Sequence, residues 1–318
     1  MLNNFYRVNP VYHLTGSQQI LEHECNEKPN ELVVMMTRIR GRCFSFFFAL
    51  SVSLIMIEIL LESSWFLVIN KPSGLLSQAV PGIESVQTLL VKQLRGLDPK
   101  APTPFIGIPH RLDRVTSGTM VVARNQRALR RLSDQFASRK VKKIYHALVL
   151  KLSETVEVCW QDTMRKVPDM ARAEMVPATE AGAKEAILRF NVVGQHILHD
   201  QTQVSWVEIE LETGRMHQIR LQFAAHGHPI LGDVLYGSKF EWLGSIPGER
   251  ESPIALHARI IEFRHPQNAE LISVVAPYPS GWPPLTQYHP TIGTPTYKTV
   301  SYRQPDNLAG SPQIRRIE

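Results

Sequence analysis

One carboxylate, Asp113, stands between Arg111 and Arg114 in a segment, His110–Gly118, that ends on a glycine. The residues that follow, Thr119–Ala123, are rich in β-branched side chains and predict a strand. Asp113 is therefore expected in a loop attached to a rigid element, where catalytic groups often lie. The flanking guanidinium groups favour the ionised carboxylate and lower its pKa, which makes Asp113 a candidate nucleophile or base rather than a proton donor.

Composition fits an enzyme with a buried core. The chain has 318 residues, of which 43% are hydrophobic, enough for one large domain or two ordinary ones. Its 35 Lys and Arg against 29 Asp and Glu are mildly basic, which favours a polyanionic partner without requiring one. Cys25, Cys43 and Cys159 are far apart and form no CxxC pattern, so neither a disulfide framework nor a zinc site is expected, and a reducing cytoplasm fits best.

Residues 1–56 are predicted to be an N-terminal extension. Within them begins a largely apolar run, residues 43–57, which follows three closely spaced arginines and imitates a membrane anchor. The run is shorter than the roughly 20 residues that cross a bilayer, and it lies too deep in the chain for a secretory signal. A membrane partner is therefore not expected, although a membrane-associated protein of unrelated activity stays an alternative. A second interpretation takes Met56 as the true start and residues 1–55 as mis-assigned upstream sequence.

From residue 57 onwards the sequence pattern predicts strands and helices. Strands are predicted at residues 66–69, 119–123, 141–150, 186–193 and 204–211. The last of these alternates between apolar and acidic residues and is expected to be half exposed. Helices are predicted over residues 83–95, after Asn125 as N-cap, and from within the segment Thr213–Arg220 to about Ala225. Gln161 to Glu180 is predicted to be a polar excursion, and residues 283–318 a flexible, Pro-rich tail.

The helix after Asn125 has an apolar face and a strongly basic one. Leu129, Leu132 and Phe136 recur at helical spacing, whereas eight Lys and Arg residues lie between Arg124 and Lys143. Such a surface suits phosphate groups. The alternative is an ordinary solvated face.

Two further residues are candidates for the same site. Tyr145 shares the less apolar face of the predicted strand 141–150 with Lys143, and a tyrosine there can stack on a flat base. The alternative is a cross-strand tyrosine with no role in binding. Lys71 lies in the turn Asn70–Gly74, which on its own reads as a plain exposed turn.

The segment Thr213–Arg220 turns into the third predicted helix, with His217 and Arg220 on one face. The planar guanidinium of Arg220 suits a carboxylate, and Asp113 is the expected partner. Asp233 is the rival carboxylate, for which a structural hydrogen-bonding role is expected. A glycosidase-like mechanism is disfavoured, because it usually needs a protonated second acid and no carboxyl-rich motif accompanies Asp113.

These segments, in this order, resemble the RluA-type pseudouridine synthases, which convert uridine in RNA to its carbon-linked isomer. The resemblance covers about residues 57–282, the expected catalytic domain, and extends to Gly227–Gly237 and Leu256–Ala258. It implies the pseudouridine synthase fold, an α+β fold with a mainly antiparallel mixed sheet, flanking helices and a central catalytic cleft. It also implies that neither a metal nor an organic cofactor is used.

The resemblance implies three catalytic residues. Asp113 would attack the ribose or the base of the uridine, or assist proton loss from the sugar, and the sequence leaves these routes open. Tyr145 would stack on the uracil and take up its proton, and Arg220 would orient Asp113 and keep it charged. The expected substrate-binding residues are Arg111, Arg114, Lys71, Arg215 and His217.

The expected substrate is a uridine in structured RNA, either tRNA or rRNA, turned out of its stack and modified by a monomer in the cytoplasm. The alternative is a catalytically inactive RNA-binding protein of the same fold. That alternative predicts damage to the set of Asp113, Tyr145 and Arg220, and the set is intact.

Overall fold

In a computed structural model the chain divides into two compact units, Met1–Ile55 and Met56–Glu318. The structure describes residues 56–96, 100–150, 152, 158–197, 202–243 and 252–283, together with the backbone of three short strands outside these ranges. Two of those strands, β1 (Val34–Ile39) and β2 (Arg42–Phe47), pair antiparallel in the first unit. The rest of the N-terminal extension and most of the predicted tail lie outside the described residues. No helix among the described residues is long and apolar enough to cross a membrane.

The second unit is built on one sheet of eleven strands. These are β3 (Glu58–Ser63), β4 (Phe66–Lys71), β5 (Ser117–Ala123), β6 (Lys142–Leu150), β7 (Val158–Lys166), β8 (Ala173–Met175), β9 (Lys184–Ile197), β10 (Gln203–Leu211), β11 (Leu256–Arg264), β12 (Leu271–Val275) and β13 (Arg316–Ile317). The helices that accompany it in the described ranges are α1 (Val86–Arg95), α2 (Gln126–Ala137) and α3 (Gln218–Ala225), with a 3-10 turn at Val234–Tyr236.

The strands follow the order β13-β3-β4-β5-β11-β6-β10-β9-β7-β8, and β12 pairs with β11. Neighbours run antiparallel except for β5 with β11 and β13 with β3, which are parallel. The α+β fold with a mainly antiparallel mixed sheet is therefore confirmed. Strands β6 and β11 lie next to each other in the middle of this sheet, so the loops at their ends meet near its centre.

The three predicted helices are present. In two of them the cap is formed by residues close in sequence, which a sequence pattern can indicate. Ser85 and Thr88 form a reciprocal capping box at the start of α1, and Leu89 and Leu90 on that helix are buried. The side chain of Asn125 accepts a hydrogen bond from the backbone nitrogen of Ala128 at the start of α2, at 2.8 Å. Helix α3 ends at Ala225, as predicted.

Two strand predictions are wrong. Strand β10 was expected to be half exposed, but it is covered on both faces, and even Glu208 is only 3% exposed. Its buried carboxylate is hydrogen-bonded to His146 on the neighbouring strand, whose Nε2 lies 3.2 Å from Glu208 Oε2. The predicted polar excursion contains the later part of β7 and all of β8, which pair antiparallel and carry cross-strand polar pairs such as Arg165 with Glu174, at 2.7 Å.

The short parallel pairing of β5 with β11 brings Gly118 against Ala258. Gly118 has a φ of 115°, and a Cβ added there would lie 2.2 Å from the carbonyl oxygen of Ala258. A side chain is therefore excluded by both the backbone conformation and the space. This contact joins the end of the Asp113 loop to the centre of the sheet.

Gly118→Ala is expected to lower the free energy of unfolding by roughly 2–4 kcal/mol, since it adds strain and a clash with backbone that cannot move freely. The matched control is Gly182→Ala, where φ is 78° and a Cβ would meet nothing within 4 Å. In the control the free energy of unfolding should fall by only about 1 kcal/mol, the cost of a side chain in the left-handed backbone conformation. Urea unfolding followed by circular dichroism measures both, and equal losses would show that the contact with Ala258 is unimportant.

Candidate active site

A cavity of about 720 Å³ opens beside the loop that carries Asp113. Its wall is formed by that loop, by the segment that precedes α1, by the end of α2, by the start of β6 and by the turn into α3. The cavity therefore collects side chains from elements that are far apart in sequence. Among the residues that line it are Asp113, Tyr145, Arg220, Arg111, Arg215 and His217.

Asp113 is the partly exposed acid of this cavity, with 28% of its side chain accessible. Its Oδ2 lies 3.4 Å from Nη1 of Arg220, and its Oδ1 lies 3.9 Å from Nε2 of His217. Its own carbonyl oxygen accepts a hydrogen bond from the backbone nitrogen of Thr116, which closes the turn. The carboxylate is thus held toward α3 while one side stays open to the cavity.

Arg220 was expected to pair with Asp113, but its main partner is Asp233. Nε and Nη2 of Arg220 donate to the two carboxylate oxygens of Asp233 at 2.7 and 2.8 Å, in the bidentate geometry that guanidinium groups favour. Both side chains are almost completely buried. The contact with Asp113 is the longer one and uses the remaining nitrogen, Nη1.

This pairing keeps Arg220 charged. Burial opposes the charged form, but the hydrogen bonds and charge of Asp233, together with the charge of Asp113, raise the pKa of Arg220 above its ordinary value. The structural role expected of Asp233 is therefore specific: it anchors the guanidinium that faces Asp113.

Tyr145 lies on β6 and borders the cavity with only 9% of its surface exposed. Burial, followed by the negative charge of Asp113, raises the pKa of Tyr145 above its ordinary value. The phenol is therefore protonated at neutral pH. Ala147 and Val149 on the same face of the strand are fully buried, so Tyr145 stands where this packed face reaches the cavity.

Comparisons with known proteins identify the family to which the chain belongs. A family model described as RNA pseudouridylate synthase matches residues 65–225. Over 238 residues the chain is 32% identical to an uncharacterized RNA pseudouridine synthase of Synechocystis, covering 73% of this chain and 68% of that protein. Over 232 residues it is 36% identical to ribosomal large subunit pseudouridine synthase D of Xylella fastidiosa, covering 70% of this chain and 66% of that protein. The chain thus spans about two thirds of the length of these relatives.

A solved structure of a related protein is also similar to this chain. Human RNA pseudouridylate synthase domain containing 1 superimposes with a TM-score of 0.55 at 26% identity, covering 71% of this chain and 85% of that chain. The chain belongs to the RNA pseudouridylate synthase family. The prediction of an RluA-type pseudouridine synthase is confirmed, and with it an enzyme that binds RNA and isomerises uridine.

The residues expected to bind substrate in this pseudouridine synthase divide into two groups. Arg111, Arg215 and His217 line the cavity. Arg114 turns toward the preceding loop, where its Nε donates to the carbonyl oxygen of Gly74 at 2.8 Å.

Lys71 is not the exposed turn residue that the sequence pattern indicates. It is fully buried, and its ammonium donates to the carbonyl oxygens of Pro72 and Arg114 at 2.8 and 3.1 Å. A buried amine of this kind cannot reach a substrate, so the expected contact is replaced by a link between two loops. The Arg114 carbonyl follows Asp113 directly, which puts Lys71 beneath the candidate catalytic loop.

Sequence reasoning missed several residues that shape the site. The hydroxyl of Tyr236 lies 2.9 Å from Nδ1 of His217, and its ring packs against the guanidinium of Arg220. His110 stacks on Phe136 at a ring distance of 4.1 Å, which fastens α2 to the start of the Asp113 loop. Tyr236 stands in the downstream segment that carried the family resemblance, but no local pattern indicates its contacts.

The buried Lys71 gives the enzyme a pH-dependent stability. Burial lowers the pKa of Lys71 to about 7, although Asp113 partly opposes this shift. Between pH 7 and the ordinary lysine value near 10.4 the unfolded chain binds more protons at this position than the folded chain does, so the free energy of unfolding contributed here rises with pH.

The free energy of unfolding of the native protein is therefore expected to increase relative to that of Lys71→Met as the pH is raised from 7 to 10. Urea unfolding at several pH values measures this difference. Lys92→Met, which removes an exposed lysine, should give a constant difference over the same range. Parallel curves for Lys71→Met and the native protein would contradict a depressed pKa.

Proposed function

We propose that this enzyme converts a uridine of large-subunit ribosomal RNA to pseudouridine with Asp113 as the catalytic carboxylate and without a cofactor. The observation that carries the proposal is the ion pair of Asp113 with Arg220 inside a cavity that Tyr145 borders. Support for the RNA class comes from relatives whose names describe ribosomal large subunit pseudouridine synthases, in Xylella fastidiosa and Vibrio parahaemolyticus. We further propose that it acts in the cytoplasm as a monomer, since one chain supplies the carboxylate, guanidinium and phenol together.

The reaction exchanges one bond of the nucleoside for another. The bond from the ribose to the ring nitrogen breaks, a bond from the ribose to a ring carbon forms, and the proton displaced from that carbon leaves while the nitrogen gains one. No atom is lost, so the enzyme must hold the detached uracil and exclude water from the reactive sugar. A cavity of about 720 Å³ has the size of an ordinary ligand site, which suits it to receive one extruded nucleotide.

Asp113 performs the first step in this proposal, by attack on the sugar or the base or by assisting loss of a sugar proton. The charged guanidinium of Arg220 lies 3.4 Å from its carboxylate, whereas the other side of the carboxylate faces the cavity. Since no partner in the described site donates to it at short range, the oxygens of the carboxylate stay available for attack.

Tyr145 enters the proposal as a neutral phenol. In the resting enzyme its ring offers a flat face for the uracil, and its raised pKa argues against a phenolate. A neutral phenol cannot accept the ring proton unless it first gives up its own, so the proposed role of Tyr145 is to stack on the uracil. The ring proton then passes to the Asp113 carboxylate once that carboxylate is free again.

In this proposal, cationic side chains around the cavity bind the RNA backbone. Arg111, Arg139, Lys143 and Arg215 line it, and α2 adds exposed arginines such as Arg127. Such contacts attract phosphates without reading sequence. The flanking position of Arg111 also suits it to fill the space that the extruded nucleotide leaves.

Asp113→Asn is expected to abolish isomerisation and to leave RNA affinity within about threefold of the native value, because the amide keeps the shape of the side chain but cannot act as nucleophile or base. Release of tritium from uridine labelled at the ring carbon measures turnover, and filter binding measures affinity. Asp169→Asn, at an exposed turn, is the control and should keep full activity. Residual turnover of Asp113→Asn near the native rate would exclude the catalytic role.

Deletion of the gene is expected to remove one or a few pseudouridines from large-subunit ribosomal RNA and to leave those of tRNA unchanged. Chemical mapping of pseudouridine in total RNA, with and without the gene, makes this test. Loss of a tRNA site instead would overturn the proposed RNA class but not the reaction. Loss of none, with the purified enzyme inactive on both RNAs, would favour an inactive RNA-binding protein.

A further inference from the structure

We propose that the exposed apolar turn Val80–Ile83 is a wedge that inserts between bases of the RNA next to the target uridine. The inference rests on the proposed function, since it assumes that the cavity receives an extruded nucleotide. It concerns the loop between β4 and α1, which no catalytic role explains.

The turn is apolar and exposed, although it lies beside a functional cavity. Residues 78–84 are all exposed, while Ser77 and Ser85 at the two ends of this stretch are buried. At its tip Val80 is 45% exposed and Ile83 43%. The side chain of Val80 also lines the cavity that contains Asp113, so the tip is continuous with the candidate active site.

The turn is built to be stiff. Ile83 donates a backbone hydrogen bond to the carbonyl of Val80 at 3.1 Å, and Gly82 has a φ of 77°. With Pro81 before that glycine, the residues have the pattern of a type II turn. The ammonium of Lys92 pairs with Glu84 at 2.6 Å just beyond the tip. A stiff tip loses little conformational freedom when it is inserted.

The base of the same loop is tied directly to the catalytic segment. Ser77 Oγ donates to the carbonyl oxygen of Leu112 at 2.8 Å and accepts from the backbone nitrogen of Leu112 at 3.1 Å. Leu112 precedes Asp113, so the position of the tip is set relative to the carboxylate. These two hydrogen bonds therefore connect the wedge to the catalytic loop, so that insertion of the tip is coupled to placement of the uridine at Asp113.

RNA fits this surface better than a protein partner does. An apolar tip alone gains little from phosphates, but the same cavity wall carries Arg139 and Lys143, which supply that attraction. Apolar side chains inserted between base steps unstack them, and unstacking is what extrusion of a nucleotide requires. The tip thus contacts base faces while the cationic residues hold the backbone.

The experiment uses a folded fragment of ribosomal RNA that contains the uridine found by mapping, with 2-aminopurine at the neighbouring position. Unstacking of this base increases its fluorescence. The double variant Val80→Ser/Ile83→Ser is expected to reduce the fluorescence change and the single-turnover rate by about tenfold or more, with the dissociation constant changed less than about threefold. Leu271→Ser, which removes an apolar side chain that is 58% exposed on β12, should change none of the three.

An unchanged fluorescence signal in the double variant would overturn the wedge, as would a rate loss explained wholly by weaker binding. A loss of self-association, measured by sedimentation, with native rate and fluorescence would assign the tip to a protein interface and overturn it as well. Failure of the proposed function gives a different result, because the native enzyme would then leave the fragment unmodified whatever the fluorescence shows.

Discussion

The buried pair of Arg220 with Asp233 is the interaction on which the site depends. Both groups are nearly inaccessible, and removal of one partner from such a pair typically costs about 3–5 kcal/mol because the other charge is left uncompensated. The pair therefore does more than stabilise α3. It fixes two of the three guanidinium nitrogens of Arg220, so that the third, Nη1, points toward Asp113.

The Asp113 loop needs its own supports, because the described residues 100–116 that lead into β5 form no helix or strand. Gly118 packs against Ala258. The hydroxyl of Ser77 bonds both the backbone carbonyl and the backbone nitrogen of Leu112. The ammonium of Lys71 donates to the carbonyl oxygen of Arg114. These contacts flank Asp113 on both sides in sequence. The carboxylate is thus placed by buried backbone contacts, which leaves its own oxygens available for chemistry.

The sequence predicted those features that depend on neighbouring residues. The capping of α2 by Asn125, the strand after Gly118 and the grouping of Asp113, Tyr145 and Arg220 were accessible because each rests on local spacing or on a family motif. The partner of Arg220 was not, since Asp233 and Asp113 are both carboxylates and only the folded chain reveals which one meets Nε and Nη2.

The sequence pattern also did not predict which polar groups are buried. Glu208 alternates with apolar residues as an exposed strand residue would, and only the register of β10 with β6 reveals its partner His146. Lys71 follows the same logic, because its acceptors at Pro72 and Arg114 come together only when the two loops pack. In both cases a group that reads as solvent-exposed is satisfied by a residue distant in sequence.

The two distances at Arg220 explain why this arrangement suits catalysis. A carboxylate bonded at 2.7 Å by a bidentate guanidinium, as in Asp233, has its lone pairs occupied and is a poor nucleophile. Asp113 at 3.4 Å receives the electrostatic attraction of the same cation without a short hydrogen bond that would have to break on attack. One arginine thus serves a structural carboxylate and a reactive one, and the difference between them lies in geometry rather than in charge.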